Sequence, residues 1–276
     1  MRSKCLVLMF SCIAVVASVN AAEYTAPRGP GDKPDLNGVW QVLNRANYDI
    51  EAHQARAAMQ MVPGPHGPIP AEALVPLGAV GAVPGGMGVV VDGALPYKPE
   101  ALAKKLENQA NWLTLDPEIK CYLPGIPRAN YMPYPFQIVH SDAAIFFSYE
   151  YAGAVRNIYL EDPGEAPVDS WMGQSYGYWE GDTLVVEVTG QLDSTWFDRA
   201  GNHHSAYMKV IERFTPTSDY TMRYDVRIED EVTFTRPWEM SMTLYRRVGN
   251  DAQLQQFKCV EFVEELMYGD LRKAVD

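Results

Sequence analysis

Tyr176-Gly-Tyr-Trp-Glu-Gly-Asp-Thr-Leu-Val-Val-Glu-Val-Thr189 is the stretch of this chain that predicts its fold class most clearly. Two runs rich in aromatic and β-branched residues flank Glu180-Gly-Asp182, a tight turn of the kind that joins antiparallel strands. We therefore expect a β-hairpin with strands at residues 176–179 and 183–189.

The chain around this hairpin has the same texture of short strands separated by turn residues. Further strands are predicted at residues 37–43, 136–140, 144–151, 155–160, 207–214, 220–228 and 239–247. No helical stretch between the later strands is long enough to cross between parallel strands, so the sheet is expected to be mainly antiparallel. This many strands must hide their edges, either by closing into a barrel or by packing as a two-sheet sandwich.

Gly38-Val39-Trp40, on the first predicted strand, favours the barrel. It resembles the Gly-x-Trp signature of calycin- and lipocalin-type barrels, in which the Trp closes the barrel floor beneath a basic residue from a late strand. Arg246 or Arg247 is the expected partner, through a cation–π contact. The predicted fold is therefore an all-β, calycin/lipocalin-like barrel with one or two short helices, and a two-sheet β-sandwich is the alternative.

Residues 1–22 have the pattern of a cleavable signal peptide. A short basic region is followed by an apolar run from Cys5 to Val19, and Val19-Asn20-Ala21 is a small-residue cleavage site. The apolar run of about 15 residues is shorter than the roughly 20 that a membrane-spanning helix requires. We expect residues 23–276 to form a single β domain in the periplasm or outside the cell, with no insertion into a membrane after cleavage.

The charge of the chain limits its partners. It carries 23 Lys plus Arg against 35 Asp plus Glu, a formal net charge of −12 that becomes −14 once a leader containing Arg2 and Lys4 is removed. Such a surface repels nucleic acid, because binding to backbone phosphates requires a basic patch. The expected partner is a small-molecule ligand or substrate, and no nucleic-acid function is expected.

Residues 62–93 are rich in Pro and Gly but carry few charges. An ordinary disordered linker would be polar and charged, so this composition predicts an irregular insertion, or flap, that packs against the rest of the domain. A short helix is expected to follow at residues 98–112, where Pro99 suits the first helical turn.

Cys121 and Cys259 are the two cysteines that remain once a leader containing Cys5 and Cys12 is removed. An even pair in an oxidising compartment is expected to form a disulfide bond. The alternative is a paired thiolate metal site or a redox couple, but such sites usually show a CxxC spacing that these two residues lack.

Several stretches together resemble a large family of secreted bacterial proteins whose activity is not established. They include Pro34-Asp-Leu-Asn-Gly-Val-Trp40, Cys121-Tyr-Leu-Pro-Gly-Ile-Pro-Arg128, Pro133-Tyr-Pro-Phe-Gln-Ile138 and Gly177-Tyr-Trp-Glu-Gly-Asp-Thr-Leu-Val-Val186. The resemblance spans most of the chain after the leader. It implies export and a single-domain organisation, and it names no reaction.

The polar loop at residues 193–205 and the strand after it carry the candidate catalytic residues. In one interpretation His204 is a general base or acid, because its imidazole exchanges protons near neutral pH. Asp198 or Glu212 would orient that imidazole, and Arg213 or Arg156 would stabilise developing negative charge.

Two other interpretations of this loop stay open. In one, His203 or His204 binds a metal ion together with the nearby carboxylates. Adjacent histidines on an extended segment point to opposite faces, so the two are not expected to share one ion, and no cofactor is predicted. In the other, the carboxylate and hydroxyl groups of the loop satisfy its own backbone, and Glu212 and Arg213 pair across strands.

The candidate ligand-binding residues are aromatic and charged side chains on and near the central strands. Aromatic residues recur there at alternate positions, so one face of the strands is a candidate lining for a cavity. Tyr and Trp rings with a few charged anchors suit a flat or sugar-like organic ligand better than an ion. The candidates are Arg128, Tyr149, Glu150, Arg156, Trp171, Tyr176 and Trp179.

These patterns support three functions from different classes. The leading one is an exported barrel that binds a small aromatic or sugar-like molecule in an aromatic-lined cavity. The second is a periplasmic hydrolase, lyase or isomerase that uses the region of Asp198, His204 and Glu212 for acid–base chemistry. The third is a structural envelope protein, which large aromatic residues filling the barrel would favour.

Overall fold

A computed structural model of the protein describes residues 24–55, 61–70 and 83–261. The predicted signal peptide and residues 71–82 of the Pro/Gly-rich insertion lie outside these ranges. The strands are Gly38–Val42 (β1), Met61–Gly64 (β2), Gly67–Pro70 (β3), Phe136–His140 (β4), Ile145–Tyr149 (β5), Val155–Tyr159 (β6), Gln174–Glu180 (β7), Thr183–Thr189 (β8), Lys209–Ser218 (β9), Thr221–Glu229 (β10) and Trp238–Arg246 (β11). The α-helices are Pro99–Ala110 (α1) and Trp112–Leu115 (α2).

Nine of the strands form a closed barrel in the order β1-β11-β10-β9-β8-β7-β6-β5-β4. The barrel closes because β1 pairs with both β11 and β4. Closure removes the sheet edges, which is the solution that the strand count and Gly38-Val39-Trp40 predicted. The calycin-like barrel is confirmed, and the sandwich alternative is wrong.

The barrel floor has the predicted Trp–Arg contact. Trp40 on β1 lies opposite Arg246 on β11, and the Arg246 guanidinium carbon lies 4.8 Å from the centre of the Trp40 ring. The indole Nε1 of Trp40 donates a hydrogen bond to the Leu36 carbonyl at 3.0 Å. Gly38 has a φ of +146°, and a Cβ there would lie 3.3 Å from Arg246 Nε, so glycine is required beside this contact.

The neighbouring strands are antiparallel except for β6 and β7. These two are parallel and share only two residue pairs, Ile158 with Ser175 and Tyr159 with Tyr176. Residues 160–173 connect β6 to β7 and reverse the chain twice, so β7 starts in the same direction as β6. The next pair, β7 and β8, is the predicted hairpin, with Gly181 at a φ of +58° in its turn.

Aromatic rings fill the middle of the barrel. Phe136 stacks on Phe147 with ring centres 5.6 Å apart, Phe147 meets Phe214 at 5.5 Å, and Phe214 stacks on Tyr224 at 4.8 Å. All four side chains are fully buried. Because these rings are buried and in contact with one another, the interior is a packed core in this region. Each such ring pair stabilises the fold by about 0.5–1.5 kcal/mol beyond the effect of the area it buries.

The described parts of the Pro/Gly-rich insertion pack on the barrel. Val91 N donates to the Glu239 carbonyl at 2.9 Å, and Ser241 N donates to the Val89 carbonyl at 2.9 Å, so this segment pairs with β11. The insertion is less irregular than we predicted, because β2 and β3 form a short hairpin within it.

Cys121 and Cys259 form the predicted disulfide bond, with their Cα atoms 5.8 Å apart. The bond joins residues separated by 138 positions, a loop whose closure stabilises the fold by about 4–5 kcal/mol in the chain-entropy model. Disulfides persist in oxidising compartments, which agrees with an exported protein. Within the described ranges, no helix has the length and apolar character to span a membrane.

Candidate ligand-binding site

His204 is buried and both of its ring nitrogens have partners. Its Nδ1 lies 2.8 Å from the Ser205 carbonyl, which only accepts, so Nδ1 carries the proton. Nε2 therefore accepts from the Thr195 hydroxyl, 2.6 Å away. Burial lowers the pKa of His204 to about 4, so the ring is neutral at pH 7.

Asp198 holds the loop together. One carboxylate oxygen accepts from Ile50 N at 2.9 Å and from the Asn202 amide at 2.7 Å, and the other accepts from Ala200 N at 2.9 Å. Burial, and then the charge of Asp49, raises the pKa of Asp198 to about 7. These contacts match the interpretation in which loop carboxylates satisfy backbone groups.

Glu212 and Arg213 are neighbours on β9 whose side chains lie on opposite sides of the barrel wall. Glu212 points into the barrel and is fully buried. Arg213 lies on the outer surface and pairs with Glu180 at 2.8 Å. The four catalytic candidates thus occupy the loop, the barrel interior and the outer surface, and these contacts do not bring them into one site.

Glu212 is the centre of a buried polar network. One of its oxygens accepts from the Tyr224 hydroxyl at 2.6 Å and from the Asn130 amide at 2.7 Å. The other forms a short ion pair with Arg156. Tyr149 extends the network by donating to the Asn130 side-chain oxygen at 2.8 Å. Two ligand-binding candidates, Tyr149 and Arg156, are therefore used inside the barrel.

Arg128 belongs to a second buried network, outside the barrel strands. It binds Asp116 through two nitrogens at 2.8 and 2.9 Å and Glu118 at 2.7 Å. Glu118 also accepts two hydrogen bonds from Arg199, both 2.8 Å long. Burial raises the pKa of Glu118, but Arg199 and Arg128 outweigh it and lower this pKa to about 2. The two cations, Arg128 and Arg199, neutralise the two anions, Asp116 and Glu118. Arg128 therefore has a structural role in this network.

The other ligand-binding candidates lie apart from one another. Trp179 stacks on His140 with ring centres 5.6 Å apart. Tyr176 lies on the outer face of β7, and Glu150 accepts a hydrogen bond from Gln255 N at 2.7 Å. Of these four residues, Trp171 alone lines a groove of about 500 Å³. The seven predicted residues therefore do not share one cavity.

The histidines of the loop have separate partners. His203 Nε2 donates to the Ala101 carbonyl at 2.9 Å, whereas His204 bonds to Thr195 and Ser205. Across residues 24–55, 61–70 and 83–261, no three His, Cys, Asp or Glu side chains are grouped as a metal site would require.

A groove of about 500 Å³ lies between α1, the segment around the disulfide and the loop that begins at residue 193. Its aromatic residues are Trp196 and a pair formed by Tyr122 and Trp171, whose ring centres are 4.9 Å apart. We call it the Trp171 groove. Its lining residues are Lys104, Asn108, Leu115, Pro117, Lys120, Tyr122, Trp171, Asp193, Ser194 and Trp196.

Hydrogen bonds between separate loops fix the walls of this groove. The Gln191 side chain accepts from Ile126 N at 2.6 Å and donates to the Ile126 carbonyl at 2.8 Å, which ties the segment after Cys121 to the loop before Asp193. Leu192 N donates to the Ser170 carbonyl at 3.0 Å, next to Trp171. The aromatic rings are therefore carried by loops that are bonded to one another.

Two lysines give the groove an electrostatic character unlike that of the whole chain. Lys104 comes from α1, and Lys120 precedes the disulfide. Neither forms an ion pair with a carboxylate in the described part of the protein. Asp193 is the one acidic residue in the lining, so the lining carries an excess of positive charge on a protein whose net charge is −12.

The predicted ligand-binding residues include Trp171 but not Tyr122, Trp196 or the two lysines of the groove. Tyr122 directly follows Cys121, so the predicted disulfide bond restricts where Tyr122 can lie. This adjacency in the sequence could have identified Tyr122 as a candidate. Lys104 was not predictable in this role, because its place at the groove depends on how α1 packs.

Comparison with known proteins gave no match to a protein-family model, to a curated protein or to a solved structure. The resemblance to secreted bacterial proteins therefore stays a prediction. What the fold and geometry define is a class: a closed β-barrel with aromatic rings packed in its interior and an aromatic groove outside its strands.

Proposed function

We propose that the protein binds a small organic molecule with a flat ring and a negatively charged group in the Trp171 groove, in an oxidising compartment outside the cytoplasm. The observation that carries this proposal is the pairing of Tyr122 and Trp171 in a groove of about 500 Å³ that also contains Lys104 and Lys120. Sites for small molecules are usually preformed concavities of about 300–1,000 Å³ with aromatic walls and a few polar anchors.

The ring of the ligand would pack against the exposed aromatic surface. Tyr122 is 45% exposed and Trp171 is half-buried, so both present ring surface to the groove while resting on each other. The lysines select a negatively charged ligand over a neutral one of the same shape. Exposed charge pairs contribute only about 0.2–1 kcal/mol, so stacking supplies most of the affinity and charge supplies selectivity.

The packed interior favours a ligand site in the groove rather than one inside the barrel. The space that an internal ligand would need is occupied by the rings of Phe136, Phe147, Phe214 and Tyr224. The same packing favours the structural alternative, a barrel that binds nothing. The acid–base alternative has less support, since His204 is buried and its acceptor nitrogen is already bonded to Thr195.

The proposal is tested by titrating the exported protein with paired ring compounds, such as a naphthalene carboxylate and its neutral amide, and following tryptophan fluorescence. We expect the carboxylate to bind more tightly than the amide, and Trp171→Ala to weaken its binding about tenfold, a loss of about 1.4 kcal/mol. Lys120→Gln should reduce the preference for the carboxylate, whereas Lys33→Gln should leave it unchanged.

Tyr207→Ala removes an exposed aromatic residue that does not line the groove, and it serves as the matched control for Trp171→Ala. Equal affinity in Trp171→Ala and in the unmodified protein would contradict the proposed site. The absence of binding by any ring compound in the panel would favour the structural alternative.

A further inference from the structure

The outer face of the barrel has two chemically different halves. On β8 to β11, many outward-facing positions are charged: Glu187, Lys209, Arg213, Arg223, Asp225, Arg227, Glu229 and Glu239. On β4 to β7, the outward-facing positions before Glu180 carry no charge. They are Gln137, Val139, Phe146, Ser148, Val155, Asn157, Tyr159, Gln174, Tyr176 and Tyr178, and we call this set the neutral wall.

Strand register makes the neutral wall one continuous surface. Val139 on β4 lies opposite Phe146 on β5, and Phe146 lies opposite Asn157 on β6. Tyr159 on β6 lies beside Tyr176 on β7. Adjacent strands are about 4.8 Å apart, so the four strands give a surface roughly 14 Å wide.

Large apolar side chains on this wall are open to solvent. Val155 is 56% exposed, Tyr159 and Val139 are each 46% exposed, and Phe146 is 37% exposed. Single exposed apolar residues are ordinary, but a contiguous set on an otherwise charged, acidic protein marks an interaction surface.

The composition of the wall indicates what it contacts. The rings of Tyr176 and Tyr178, whose centres are 5.7 Å apart, share the outer face with the amides of Asn157 and Gln174. The Gln174 side-chain nitrogen donates to the Gly164 carbonyl at 2.7 Å, and its side-chain oxygen remains as an acceptor. Sugar rings offer apolar C–H faces for aromatic rings and hydroxyl groups for amides, and neither contact needs a charge.

Charge excludes acidic polymers from the wall. The wall has no cation to pair with a carboxylate or phosphate, and the connection after β6 adds four exposed acidic residues, Glu161, Asp162, Glu165 and Asp169. Nucleic acids, anionic membranes and acidic glycans would be repelled. We therefore propose that the neutral wall binds an uncharged polysaccharide chain, which lies across strands β4 to β7.

The wall shares no residue with the lining of the Trp171 groove, so the two proposals can fail separately. The test is affinity electrophoresis of the exported protein in native gels that contain hydroxyethyl cellulose, galactomannan or arabinoxylan. A gel with polygalacturonate is the acidic comparison. We expect retardation by at least one of the three neutral polymers and none by polygalacturonate.

Tyr159→Ala and Tyr176→Ala should each weaken the retardation at least fivefold, because each removes a ring from the wall. Tyr207→Ala and Tyr220→Ala remove exposed tyrosines elsewhere and should leave it unchanged. Unaltered thermal unfolding confirms that the variants are folded, and Asn157→Ala provides a second variant if one tyrosine change destabilises the barrel.

Two results would overturn the proposal: unchanged retardation in both tyrosine variants, or no retardation in any neutral gel. The second result would assign the wall to an acidic polymer if polygalacturonate alone retards the protein, or to self-association. Self-association is recognised by sedimentation analysis, as a concentration-dependent dimer that Tyr159→Ala abolishes.

Discussion

Replacing Arg156 with Met would leave a negative charge without a counter-ion inside the barrel. Glu212 is 0% exposed and would keep only its hydrogen bonds from Tyr224 and Asn130. Breaking a buried ion pair by removing one partner costs about 3–5 kcal/mol. For a domain of this size each kcal/mol lowers Tm by about 2–4 °C, so we expect Arg156→Met to lower Tm by roughly 6–20 °C.

A double-mutant cycle separates the ion pair from the packing of its side chains. Arg156→Met with Glu212→Met removes both charges, and we expect the double variant to be at least about 2 kcal/mol more stable than Arg156→Met alone. The free energies come from urea unfolding at pH 7, followed by circular dichroism and by fluorescence.

Arg213→Met is the matched control, because Arg213 is the neighbour of Glu212 on β9 and its contact with Glu180 is 2.8 Å long, but these two side chains are 41% and 49% exposed. This variant should change stability by no more than about 1 kcal/mol. If Arg156→Met lowered the free energy of unfolding no more than Arg213→Met does, the polar network around Glu212 would be solvated. The description of the barrel interior as packed would then be wrong.

Three further predictions concern other parts of the chain. Because the pKa of His204 is lowered to about 4, folding favours the neutral imidazole. The free energy of unfolding should therefore fall by about 3 kcal/mol for this group as the pH drops from about 6.5 to about 4. In His204→Gln, this pH-dependent loss of stability should be absent. Cys259→Ser should destabilise the fold by about 2–5 kcal/mol, and dithiothreitol should lower Tm in the unmodified protein but not in this variant. Arg246→Ala should cost about 0.5–2 kcal/mol in chemical unfolding through loss of the contact with Trp40, whereas an equal loss in Arg247→Ala would contradict that assignment.

The barrel was predictable because its determinants are local in the sequence. Alternating burial on β9 to β11 follows from side-chain periodicity. Gly38 with Trp40 indicated both the barrel and a contact with Arg246 or Arg247, of which the structure has Arg246. The parallel pair of β6 and β7 was not predictable, because the direction of a strand after a long loop depends on where that loop packs.

The site was harder to predict because strand periodicity shows which residues share a face but not which face is inside. Tyr149 points into the barrel and Tyr176 points out, although both lie on strands rich in aromatic residues. Arg128 and Arg156 looked like ligand anchors because their partners, Asp116 and Glu212, stand 12 and 56 positions away. Only the folded chain shows that these charges neutralise each other.

The most direct test of a ligand site outside the barrel is an NMR titration that follows the indole N–H signals of the six tryptophans as the naphthalene carboxylate is added. Trp171 and Trp196 line the groove, whereas Trp40 and Trp238 are buried in the core. We predict that the signals of Trp171 and Trp196 shift with saturation while those of Trp40 and Trp238 stay in place. Saturable shifts of Trp40 and Trp238, with Trp171 unchanged, would place the ligand inside the barrel and contradict the account.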